Sequence, residues 1–303
     1  MGELNIDIIL SGNDIMPEWN KEKLVDSFDI VLGSSSAITA TGLAGLGMNV
    51  FLVSVVGDDH FGHFCIEQLN KLGVDTRYVT MDPSLKTGVT LSLSTVKDRA
   101  LLTYMGAIPH LTLKHIPEEM FTQADHIHFG SYFLQDEMRE HWTDLFKKAA
   151  KRSITTSFDT GWDLNGIWYP EKISELIEWT NLFIPSEDEL MQIYGMEQLE
   201  NVIPKLPRKR DIVAIKRGSK GAMMVSANGD ILAAKPFVVT PLDTTGAGDS
   251  FNAGLIYSYL EQKDQTEMLR FSCACGALAT LRIGGATAAP SVQEVEDFIH
   301  SQK

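Results

Sequence analysis

The segment Asp243-Thr244-Thr245-Gly246-Ala247-Gly248-Asp249-Ser250-Phe251 runs straight into a helical pattern over 252–259. Three small residues at a helix start leave backbone N–H groups uncovered, so the loop can cradle a phosphoryl group, and the helix dipole adds to the attraction. The dipole also favours a carboxylate there, and beside bound phosphate Asp249 can take a proton from an attacking hydroxyl. An ordinary cap after a glycine turn has the same spacing, and spacing alone does not separate the two.

Other segments carry weaker signals. Lys216-Arg217-Gly218-Ser219-Lys220-Gly221 lies between two apolar runs and reads by itself as a hairpin turn; it lacks the Gly-Lys-Ser/Thr of a P-loop. Pro185-Ser186-Glu187-Asp188-Glu189 places acids where a helix start favours them, and also where a cation could be held. Near the N-terminus Asn5 and Asp7 could fix an acceptor, since a carboxylate accepts two hydroxyl hydrogen bonds; a strand aspartate facing solvent is the plain alternative. His126 and His128 alternate on one side of a strand without a third convergent ligand, which favours a structural role. The glycines of 42–47 lie inside a helix end and do not follow a strand, so they are no dinucleotide fingerprint.

The elements that must position these groups alternate between short β-branched runs and helices: 50–56 before 61–72, 154–158 before 169–180, and 212–215 further on. That rhythm predicts an α/β fold with a mostly parallel sheet covered by helices on both faces. Helices are also expected over 36–47, 137–152, 247–261, 266–282 and 292–300. Two regions break the rhythm, 6–10 with 29–32 and 87–95 with 100–105; Val89, Leu91 and Leu93 alternate with Thr90, Ser92 and Ser94, as a sheet with one wet face requires. They predict a small β lid, contributed by about 6–32 and 87–106, on a single domain spanning 1–303.

Composition narrows the function classes. The 303 residues are 44% hydrophobic, enough for a substantial core, and 26 basic against 40 acidic residues leave a net charge of −14. That balance opposes a broad nucleic-acid footprint. Three cysteines, Cys65, Cys273 and Cys275, suit a reducing compartment, and no apolar run is long enough to span a bilayer. A cytoplasmic protein is expected.

The segment ending in Asp249 resembles the C-terminal signature of the ribokinase-like (PfkB) family of carbohydrate kinases. The resemblance implies that Asp249 is the catalytic base and that Gly246, Ala247 and Gly248 form an anion hole for the γ-phosphate of ATP. It extends along essentially the whole chain. Gly2-Glu3-Leu4-Asn5-Ile6-Asp7 resembles the opening motif, which makes Asn5 and Asp7 sugar contacts. Gly33-Ser34-Ser35-Ser36-Ala37 with Leu46-Gly47 is similar to the first signature, which closes Gly33, Ser34 and Ser35 around the sugar; Val56-Gly57-Asp58-Asp59 and Phe61-Gly62 continue it. Lys216, Gly218 and Gly221 match the turn that lies along ATP, and Thr245 joins them on the nucleotide side. Ser186 and Glu189 match the Asn-x-x-Glu motif that helps hold Mg²⁺ through water, with Ser186 in place of Asn. Asp243, with Thr245, is implied as a monovalent-cation site near 282–286, as in some relatives.

The departures have consequences of their own. Ser34 stands where a second Gly is typical, Ile38 where Asn is common, and Ser35 where ribokinases proper carry Lys, so ribose is not the expected acceptor. The family has several apolar residues before the position of Gly2, which here follows Met1 directly. The expected activity is ATP- and Mg²⁺-dependent phosphorylation of a primary hydroxyl on a sugar-like molecule. A nucleoside kinase of the same fold and a catalytically weak ligand-binding regulator are the alternatives. Exposed lid edges also make a homodimer expected.

Overall fold

The computed structural model describes residues 1–95 and 99–302. Residues 96–98 of the expected lid and residue 303 of the expected domain lie outside the described residues. The chain opens with β1 (Asn5–Ser11), β2 (Ser27–Leu32), α1 (Ser35–Gly45), β3 (Val50–Gly57), α2 (His60–Lys71) and β4 (Val74–Asp82). Next come β5 (Gly88–Ser94), β6 (Arg99–Tyr104), the short α3 (Met120–Gln123), β7 (His126–Phe129), α4 (Trp142–Ala150) and β8 (Thr155–Phe158). The second half runs α5 (Pro170–Ile177), β9 (Leu182–Phe183), α6 (Glu187–Tyr194), α7 (Leu199–Val202), β10 (Ile212–Lys216), β11 (Ala222–Ser226) and β12 (Ile231–Ala234). Three long helices close it: α8 (Ala247–Leu260), α9 (Gln265–Ala279) and α10 (Val292–Ser301).

A six-stranded sheet has the order β12-β11-β10-β9-β8-β7, parallel from β7 to β10 and antiparallel beyond. Its central strands are buried on both faces because helices cover each side; Phe129 stacks on Trp142 at 3.8 Å and Phe158 on Phe183 at 4.6 Å. A parallel β3-β4 pair stands apart, and Met1 and Gly2 bridge the gap between β3 and β7: the Met1 amine donates to His128 O at 2.6 Å and Gly2 N to Val53 O at 3.1 Å. Beside that bridge lies a slot of about 250 Å³, lined by consecutive residues of both strand edges, 50–53 and 126–128.

A separate four-stranded sheet, β2-β1-β5-β6, joins two antiparallel pairs through a parallel β1-β5 contact. Strand alternation puts Asn5, Asp7 and Thr90 on one face and Ile6, Ile8, Ile30 and Leu102 on the other.

The helix expected over 137–152 starts only at Trp142. The preceding residues form turns because Arg139 folds back to donate to Phe133 O and Asp136 and lies over the Tyr169 ring. The helix expected over 266–282 stops at Ala279, and Thr280 O then accepts from Leu242 N and Asp243 N, fastening the loop that precedes α8.

Candidate active site

Near the N-terminus, Asn5 Nδ2 donates to Asp7 Oδ1 and to Ile6 O, both at 3.1 Å, which fixes the two side chains against each other. Gly33 follows β2 and packs onto them so tightly that a Cβ there would lie 2.2 Å from Asp7 Oδ1, so any side chain would have to displace Asp7 and Asn5. Ser34 caps α1, its hydroxyl accepting from Ala37 N at 3.1 Å and donating to Glu3 O at 2.6 Å. Ser35 Oγ then donates to Asp249 Oδ1 at 2.5 Å, joining the acceptor turn to α8.

Gly246 caps α8 at φ 74°, a left-handed conformation, with Gly285 too close for a side chain. Ala247 N donates to Thr244 O at 3.4 Å, and Asp249 sits in the first turn of the helix. Burial pushes the Asp249 carboxyl up to about 7, Asp159 adds to the shift, and the Ser35 bond and Lys216 oppose it.

Lys216 ends β10, and its Nζ donates to Asp159 Oδ2 at 2.7 Å and Asn252 Oδ1 at 3.2 Å, while Asn252 Nδ2 donates to Asp159 Oδ2 at 2.8 Å. Burial works against the Lys216 ammonium, but the charges of Asp159 and Glu189 outweigh it and the net shift is upward. Burial likewise opposes the Asp159 carboxylate, and Lys216 with Asn252 holds it below the usual range. A Cβ on Gly248 would lie 3.6 Å from Lys216 Nζ, so the ammonium sits against the helix start. Lys216, Gly218, Gly221, Ala247 and Gly248 line one cavity of about 440 Å³ with Phe251 at its side.

Ser186 and Glu189 form a reciprocal cap on α6: Ser186 Oγ accepts from Glu189 N at 3.2 Å, and Glu189 Oε2 accepts from Ser186 N at 2.8 Å. Thr160 Oγ1 also donates to Glu189 Oε2, at 3.4 Å. Burial raises the Glu189 carboxyl, against the pull of Lys216. Asp243 Oδ1 accepts from Thr245 N at 2.9 Å and Oδ2 from Gly284 N at 3.0 Å, so both oxygens stitch loop to loop.

The sequence profile of the pfkB family of carbohydrate kinases covers residues 1–292. The chain belongs to that family. This pfkB kinase is 30% identical over 98% of its length to the ATP-dependent ribose-1-phosphate kinase of Halopiger xanaduensis, 96% of which is covered. It is 27% identical to the ribokinase of Bacillus subtilis, with 99% of this chain and 98% of that one covered. A candidate ribokinase II from E. coli, solved in complex with ATP and Mg²⁺, matches at TM-score 0.85 and 27% identity, covering 99% of this chain and 97% of that one. The fold is ribokinase-like, and the chain is a sugar kinase.

In the pfkB kinase Asn5, Asp7 and Gly33 are in mutual contact, Ser35 meets Asp249, and Lys216, Gly218 and Gly221 line a shared cavity with Ala247 and Gly248. The Ser186 hydroxyl is engaged in the α6 cap, while Asp243 and the Thr245 amide are engaged in the loop before α8. Sequence reasoning missed Asp159, Asn252 and Glu3. Asp159 follows the carboxyl end of β8, where open α/β sheets gather ligands, and that rule could have flagged it. Asn252 stands three residues after Asp249 on the same helix side. No sequence signal marks Glu3 beyond its place in the opening motif.

Proposed function

We propose that this chain transfers the γ-phosphoryl of ATP to a primary hydroxyl of a sugar-like acceptor, with Asp249 as general base. The observation that carries this reading is the position of Asp249: hydrogen-bonded to Ser35 of the acceptor turn, beside the amides of Gly246, Ala247 and Gly248, and raised to about 7. A base with that proton affinity is half-ionised near neutral pH, close to the optimum for taking a proton in the transition state.

Asn5, Asp7 and the 33–35 turn orient the acceptor. Its oxygen forms the bond to the γ-phosphorus as the bond from phosphorus to the β–γ bridging oxygen breaks; the proton passes to Asp249 and ADP leaves. The α8 amides and the Lys216 ammonium stabilise the charge on the transferring group. Glu189 fits a Mg²⁺ held through water, since this ion keeps several waters and needs few protein ligands; bound with ATP it would neutralise phosphate charge. A monovalent cation beside Asp243 belongs to the same proposal, tested by activity in potassium against choline salts.

The decisive experiment incubates the protein with ATP, Mg²⁺ and a panel of sugars, sugar acids, sugar phosphates and nucleosides, and follows ADP. Acceptor-dependent ADP that disappears in Asp249→Asn supports the reading, and equal ADP release by the two proteins overturns it. A nucleoside-only response selects the nucleoside kinase.

A further inference from the structure

Glu3 has no role in the reaction described above, yet it is one of the most enclosed carboxyls of the molecule, 3% exposed. Its hydrogen-bond partners are neutral donors from two separate segments. Ser36 Oγ donates to Oε2 at 2.7 Å and Ser36 N to Oε1 at 3.3 Å, from the start of α1. Ser131 Oγ donates to Oε1 at 2.9 Å, from a residue held at φ 54° just after β7, and Gln135 Nε2 reaches Oε2 at 3.4 Å. Burial raises the proton affinity of Glu3, and the serine bonds oppose that shift.

The arrangement brackets one residue. Ser34 is bound to the backbone oxygen of Glu3, and Ser36 to its carboxylate. Between them stands Ser35, whose hydroxyl meets Asp249. Both neighbours of Ser35 are therefore tied to one rigid residue, and Ser34 itself occupies a positive-φ conformation, 77°, that a serine adopts only when its surroundings hold it there.

We infer that Glu3 is a positioning residue for phosphoryl transfer, fixing the Ser34-Ser35-Ser36 turn so that the Ser35 hydroxyl is held against Asp249. The inference rests on Asp249 being the base. Glu3 itself touches neither acceptor nor nucleotide. It clamps the α1 start to the segment after β7 and so sets the distance across the cleft floor. Replacing one carboxylate oxygen by an amide sets a donor against donors that already point inward, which displaces the turn while leaving the nucleotide cavity untouched.

The test is a double-mutant cycle on kcat with Glu3→Gln and Ser35→Ala. Each single variant is expected to lose about tenfold in kcat with the KM for ATP within about twofold, and the double variant to be no slower than Ser35→Ala. A purely structural Glu3 gives multiplying losses instead, and that result, or an unchanged kcat in Glu3→Gln, overturns the inference. If Glu3→Gln does not fold, Ser36→Ala removes the shortest bond to the carboxylate and enters the same cycle with the same criterion. Asp249→Asn separates the two levels. Turnover near the parent rate in that variant overturns the assignment of the base and this inference with it; an Asp249→Asn slowed by about 10²-fold or more beside independent Glu3 and Ser35 effects overturns only the role of Glu3.

Discussion

Asp249 is held away from its relaxed protonation state. Its ordinary carboxyl range lies well below the value of about 7 that burial and Asp159 impose here. Three consequences follow at this scale. Asp249→Asn is expected to lower kcat by about 10²–10⁴-fold with little change in the KM for ATP, as measured by steady-state kinetics. The rate should fall on the acid side of about pH 7, and Ser35→Ala should move that limb to higher pH, because the bond it removes favours the carboxylate. The stability effect has the opposite sense. Because the folded state holds the proton more tightly, the group favours folding below the usual carboxyl range and that contribution is lost as pH rises through about 7. Asp249→Asn should therefore melt higher than the parent at pH 8, with the gap closing toward pH 4. A gap that widens on acidification would contradict the assignment.

Among the elements, the Lys216–Asp159–Asn252 cluster ties β10 to the end of β8 and to α8. Lys216→Met leaves Asp159 buried and unpaired, and a loss of roughly 3–5 kcal/mol is expected in denaturant unfolding, beyond any effect on ATP affinity. The strand alternation of 87–95 was legible because a period of two is written locally. The true start of α4 was not, because Arg139 finds Tyr169 thirty residues away.

At the scale of the whole molecule, the lid sheet leaves Phe28, Ile30, Leu102 and Tyr104 exposed on the face opposite Asn5 and Asp7, with Leu102 60% open. The homodimer expected from the sequence would cover that apolar face. Sedimentation should show a dimer that Leu102→Asp shifts toward monomer; a parent that stays monomeric at high concentration removes the proposal. No helix among the described residues is long and apolar enough to cross a membrane.

The sequence by itself determined the class. The run from Asp243 to Phe251 is contiguous, so its small residues, its acid and its helix are all readable in order, and the resemblance to a kinase family rests on such local runs. Tertiary structure alone decided which partners tune that acid. Ser35 lies 214 residues from Asp249, and Lys216 lies 57 from Asp159. A buried carboxyl takes its proton affinity from whatever charges and donors the folded chain places within a few ångströms. Spacing along the chain carries no record of that distance.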